Sequence, residues 1–169
     1  MKKTIMLLII FSSMQTYSQN GKAVSSKAIA LVNEGTKMYT KSYENEFMGI
    51  ATFSIGEKMQ IIKKYTEAIE IDSTYIDAYS LRGDLKLELG DNKGAIQDFD
   101  KRINLTIRAK KLNKTIGMEW VYGKLNVTYF QRGIAKYNIS NEEGACLDWS
   151  KSGELGYEEA YNEISKHCH

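Results

Sequence analysis

Apolar residues between Ser26 and Leu155 recur at helical spacing, in segments separated by short polar or glycine-containing turns. Ile76 to Leu89 and Asn92 to Leu105 make one such pair around Gly90-Asp91. Asn126 to Ile139 and Glu142 to Leu155 make another around Ser140-Asn141. A shift of fifty residues lays one pair on the other: Tyr79, Arg82, Gly83, Lys86, Gly94, Ala95, Asp98 and Lys101 recur as Tyr129, Arg132, Gly133, Lys136, Gly144, Ala145, Asp148 and Lys151. Phe99 is answered by Trp149 and Leu105 by Leu155.

A third pair lies upstream. Lys64 to Asp72 reads as the end of a second helix, and Ser26 to Tyr39, with Ile29, Val32 and Met38 at helical spacing, supplies the first. Asn33-Glu34-Gly35 then echoes Leu81-Arg82-Gly83, and Thr40 to Ser54 becomes an inserted loop. The competing register starts the helix near Ser42 and puts Gly49 at the crossing, through the poor helix formers Glu44-Asn45-Glu46 and Gly49 to Gly56. With no proline and abundant Lys, Glu, Leu and Ile, the fold class expected is all-α.

The string from Tyr79 to Phe99 resembles the core of a tetratricopeptide repeat, and Tyr129 to Trp149 matches it again. Gly83 and Ala95 lack bulk, so paired helices can approach closely, while Phe99 fills the space toward a neighbour. The resemblance implies an α-α superhelix of about three helix pairs, near residues 25–75, 76–109 and 126–156, closed by a capping helix at 157–168. Departures are Ser73 where a proline is usual, Arg102 where a small residue is usual, and an insertion at about 110–125 carrying Trp120 and Tyr122. The ending from Gly144 to Tyr157, a short helix and a terminal Cys is similar to that of exported bacterial, Bacteroidota-like repeat proteins.

At the N-terminus, Lys2 and Lys3 precede the apolar run Ile5 to Phe11 and a polar stretch ending Thr16-Tyr17-Ser18. That order predicts a secretory signal peptide over residues 1–18, a mature domain over 19–169 and a periplasmic or secreted location, with no transmembrane segment left after removal. Without Lys2 and Lys3 the charges balance at 21 basic against 21 acidic, which gives no reason to expect a nucleic-acid partner.

Export permits a disulfide between the two cysteines, Cys146 and Cys168. If the last repeat helix and the capping helix run antiparallel about Leu155-Gly156, these residues fall at similar heights. A metal site from Cys146, Cys168, His167 and His169 is the alternative, unsupported by any CxxC or HxxxH spacing. Both histidines are terminal and no P-loop or dinucleotide-binding glycine pattern occurs, so neither catalysis nor a cofactor is expected.

The resemblance further implies that first helices line a concave groove. Its positions fall on Ile29, Val32, Thr36 and Tyr39, on Asp77, Ser80, Asp84 and Leu87, and on Val127, Phe130, Ile134 and Tyr137. An apolar and aromatic groove with two central aspartates suits a peptide carrying one basic residue. The expected function is a protein-interaction module or scaffold of the bacterial cell envelope. The alternatives are a structural subunit of an envelope assembly and a metal-dependent enzyme.

Overall fold

A computed structural model describes residues 24–112 and 124–168; the expected leader and most of the insertion, with Trp120 and Tyr122, lie outside them. Seven helices and no strand occur among the described residues: α1 (Ser26–Phe47), α2 (Ile55–Ile71), α3 (Ile76–Glu88), α4 (Asn92–Leu112), α5 (Leu125–Asn138), α6 (Glu142–Glu154) and α7 (Glu159–His167). They pack as successive antiparallel pairs, α1 with α2, α3 with α4 and α5 with α6. Each pair stacks on the next, and α7 lies on α6.

Each pair crosses at a glycine facing an aromatic ring. A methyl group on Gly83 would stand 2.8 Å from Phe99 Cε1, one on Gly133 2.5 Å from Trp149 Nε1, and one on Gly35 2.7 Å from Tyr65 Cε1. Any side chain there would drive the helices apart or displace a ring that is almost wholly buried. Gly35 therefore sits in the first pair as Gly83 and Gly133 do in theirs.

Beside each crossing lies an ionic frame. In the second pair Arg82 clamps Asp98 with Nε at 2.9 Å and Nη2 at 2.6 Å, and Lys86 Nζ reaches the same carboxylate at 2.8 Å. In the third, Arg132 clamps Asp148 at 2.8 and 2.6 Å and Lys136 Nζ lies at 2.8 Å. The remaining arginine nitrogen reaches back to the preceding pair, from Arg82 to Thr66 Oγ1 and from Arg132 to Asp100. In the first pair the polarity is reversed: Glu34 meets Lys64 at 3.1 Å. These bonds tie helix to helix and pair to pair, and they sit over a core of Ile61, Tyr65, Phe99 and Trp149.

The turn between helices is tight in the second and third pairs. Gly90 takes φ +80° and Ser140, its counterpart, takes φ +62°; Asp91 and Asn141 then accept from the backbone N–H of Gly94 and Gly144. The first pair departs from the expected long loop. Helix α1 runs on through Thr40 to Phe47, leaving only residues 48–54 non-helical. The reason is tertiary: Ser42 is buried and donates to Glu57 Oε1 at 2.9 Å, while Tyr43 stacks on Tyr39 one turn earlier. Glu57 also completes a capping box with Ser54, which starts α2. Packing on α2 thus outweighs the weak local propensity of residues 44–46.

Candidate groove on the first helices

The twelve groove positions divide by helix pair. On α1, Val32 is core, and Ile29 packs half-buried against the same cluster. Thr36 donates to Val32 O at 2.8 Å, and its hydroxyl lies 3.3 Å from that of Tyr65. Tyr39 donates to Glu88 Oε1 at 3.4 Å, its ring edge-on to Phe53. Burial, with Glu88 beside it, pushes the Tyr39 hydroxyl up to about 12, so it remains a donor across the ordinary pH range.

The α3 positions are polar. Asp77 is buried, Ser80 and Asp84 are half-buried, and Leu87 packs on the cluster around Ala95 and Phe99. Behind them stands Arg102 from α4, 0% exposed. Its Nη1 donates to Lys124 O at 3.0 Å and to Thr128 Oγ1, which links α4 to the start of α5. Its Nε and Nη2 find no acceptor among the described residues. Burial lowers its pKa, opposed by the charges of Asp77 and then Asp84.

Asp84 is the least compensated of these groups. Glu88 is held by Lys58 at 2.9 Å and Asp98 by two cations, but no hydrogen bond from the described residues holds the Asp84 carboxylate. Desolvation pushes it up from 3.8 to about 7; Arg102 pulls it down and Glu88 pushes it further up. Asp84 thus lies between Arg102 and Lys124, which favour its charged form, and Glu88, which opposes it, with no hydrogen bond from the described residues on its carboxyl group.

The α5 positions are covered instead. Phe130 and Ile134 pack, together with Tyr157, Ile164 and Cys168, against a cluster of Ala145, Trp149 and Ala160, and the Phe130 and Tyr157 rings stand 4.8 Å apart. Tyr137 contacts Trp149 and, 4.5 Å away, the His167 ring. Val127 and Tyr137 nonetheless remain exposed, at 37% and 36%. Helix α7, which does the covering, is fastened by a disulfide between Cys146 and Cys168, whose Cα atoms lie 5.8 Å apart.

Sequence reasoning singled out the aspartates as groove residues and Arg102 as a departure from the usual small residue, but did not place Arg102, Tyr65 and Glu88 around Asp84. A signal was there: Arg102 stands where the other pairs have Ala68 and Ser152. A charged side chain at a position otherwise small and buried must reach a partner on a neighbouring helix.

No protein-family model matches the chain. It is similar to the zebrafish (Danio rerio) tetratricopeptide repeat protein 36, at 26% identity over 113 residues, covering 67% of this chain and 54% of the relative. The chain thus spans about half the length of that relative. Among solved structures it resembles the first tetratricopeptide domain of Spaghetti (RPAP3) bound to the HSP90 peptide SRMEEVD, with a TM-score of 0.60 and 20% identity over 91% of this chain and 94% of that one. The fold is all-α and tetratricopeptide-like.

Proposed function

We propose that this chain is a protein-interaction module that takes a peptide segment with a basic side chain against the first helices of its first two helix pairs. The observation that carries this reading is the Asp84 carboxylate, desolvated and without a hydrogen-bond donor beside Tyr39 and Glu88. A lysine or arginine side chain would supply the missing donors and add to the favourable charge of Arg102 and Lys124. The structural neighbour supports a peptide partner in general, since it is itself bound to a peptide. That peptide, SRMEEVD, is acidic toward its C-terminus, and an acidic side chain would bring Asp84 neither a donor nor a counter-charge.

A setting in the bacterial cell envelope belongs to the same proposal. The order of residues 1–18 and the disulfide both fit an exported chain. Chemistry in the groove is not part of it: a peptide held by side-chain charge and aromatic contact needs no reacting group.

A positional-scanning peptide array probed with the full chain tests the groove. Bound peptides should be enriched in Lys or Arg at one position, and Asp84→Asn should abolish that enrichment, lowering affinity for the best peptide about tenfold or more, as for loss of a hydrogen bond to a charged group. Equal capture of acidic peptides, or indifference to Asp84→Asn, would overturn the reading.

A further inference from the structure

Helix α7 is tied to the body differently from the paired helices. The pairs α3–α4 and α5–α6 are joined by their ionic frames, and α1–α2 by Glu34 with Lys64 and Ser42 with Glu57. The polar side chains of α7 bond only within α7. Ser165 Oγ donates to Asn162 O at 3.0 Å, Lys166 Nζ to Glu163 Oε1 at 2.9 Å, and His167 Nε2 stands 3.6 Å from Glu163 Oε2. The helix has nine residues, no side-chain cap and one buried residue, Ala160. Helices shorter than about 12–15 residues are marginal in water without tertiary support.

That support consists of side-chain packing and a covalent tie at either end. The Tyr157 ring lies 4.8 Å from that of Phe130 and the His167 ring 4.5 Å from that of Tyr137, while Tyr161 sits so close on Gly153 that a methyl group there would stand 2.8 Å from its Cζ. With Ile134 in the same cluster, the segment from Tyr157 to Cys168 engages Phe130, Ile134 and Tyr137 of the α5 groove positions. At one end Gly156, with φ +88°, joins α7 to α6; at the other the bond from Cys168 to Cys146 returns to α6. Opening the bond turns a helix held at both ends into one that pivots on a glycine. Both cysteines are half-buried, so an incoming thiolate can reach the sulfurs. The third pair has bonds of its own that do not pass through α7: Ser152 Oγ donates to Asn126 O at 2.8 Å, and Arg132 clamps Asp148.

We infer that the Cys146–Cys168 bond is a redox latch: a dithiol reductant opens it, α7 leaves α6, and the α5 face is freed to take an apolar helical segment patterned like the one it releases. The occupant is specified by what already sits there, apolar residues at the spacing of Tyr157, Ala160 and Ile164. In the exchange, one thiolate of the reductant attacks a cysteine sulfur and forms a mixed disulfide, and the other cysteine departs as thiolate. The second thiol of the reductant then displaces the first cysteine, so that two cysteine thiols and an oxidised dithiol result. The latch is separate from Asp84, and its test reads the α5 face alone.

The probe is a fluorescein-labelled synthetic peptide of residues 157–169 carrying Cys168→Ser, titrated into the full chain and followed by anisotropy. The chain in excess dithiothreitol should bind it about a hundredfold more tightly than the oxidised chain, the factor by which closing a loop of this length favours the docked segment. Reoxidation should reverse the gain. The full chain with Cys146→Ser and Cys168→Ser should bind the peptide tightly without reductant, and a peptide that also carries Tyr157→Ser and Ile164→Ser should bind neither form. Equal capture before and after reduction, or none in either state, would overturn the inference. So would circular dichroism showing that the reduced chain unfolds as a whole, or a doubling of mass in light scattering on reduction without capture of the peptide, which would assign the freed face to a second copy.

Discussion

Arg82, Lys86 and Asp98 in the second helix pair are matched by Arg132, Lys136 and Asp148 in the third, with distances that agree to within 0.1 Å. The groove positions a turn away share nothing: Asp77, Ser80, Asp84 and Leu87 stand against Val127, Phe130, Ile134 and Tyr137. The frame lies between helices of one pair and meets the same surroundings wherever the pair is repeated. The groove face meets whatever comes next. In the third pair that is the C-terminal segment with α7, so the face is apolar; in the second it is Arg102, so the face is polar and half-buried. Repetition preserves the contacts that make a pair, and position along the stack decides what each pair presents.

If the frame is common to both pairs, removing its carboxylate should do equal damage. Asp98→Ala leaves Arg82 and Lys86 partly buried without their counter-charge, and Asp148→Ala does the same to Arg132 and Lys136. Each should lower stability by about 3–5 kcal/mol, as expected when one partner of a buried ion pair is lost, read as a fall in the urea midpoint. Two midpoints that differ widely would break the comparison, by showing that one frame is held mainly by something else.

Reducing the Cys146–Cys168 bond sharpens the other half. The bond spans 22 residues, and opening such a loop should cost about 3 kcal/mol by chain entropy. Helix α7 should lose protection first in hydrogen exchange, because it is short and has a neighbour on one side only. Phe130 and Ile134 would then be uncovered, and binding of an apolar dye should rise. If α7 keeps its protection in the reduced chain, packing around Ala160 alone holds the cover in place.

The paired helices, their turns and the crossing glycines were legible because the fifty-residue echo places them in register and the physics is local to each pair. Gly83 against Phe99 follows from spacing. The length of α1 was not legible. Residues 44–46 are weak helix formers taken alone, and what carries the helix through them is a hydrogen bond from Ser42 to Glu57, fifteen residues away in sequence. The groove was legible as a set of positions but not as a surface. Register points Val32 and Asp77 inward, yet Val32 is sunk in the core and Asp77 is buried beside Arg102, since periodicity says nothing of what a neighbouring helix sets against a position. The α7 cover on Phe130 and Ile134 is of the same kind.

The smallest effect is the most specific to the polar face. Asp84 has a folded-state pKa near 7, against 3.8 when freely solvated, so between about pH 4 and pH 7 the folded chain keeps a proton that the unfolded chain has lost. Stability from this group is therefore greatest at the acidic end of that window, falls as pH rises through it, and levels off above pH 7. Asp84→Asn cannot titrate and resembles the protonated acid in shape. It should match the parent near pH 4 and exceed it at pH 8, by on the order of 1–2 kcal/mol after allowance for the solvent that reaches the groove. The counterpart on the covered face, Ile134→Asn, should show no such pH dependence, because it introduces no ionisable group. An Asp84→Asn chain with the parent's slope between pH 4 and pH 7 would mean that Asp84 is as well solvated as an ordinary surface carboxylate, and the contrast between a polar face and an apolar one would lose its electrostatic half.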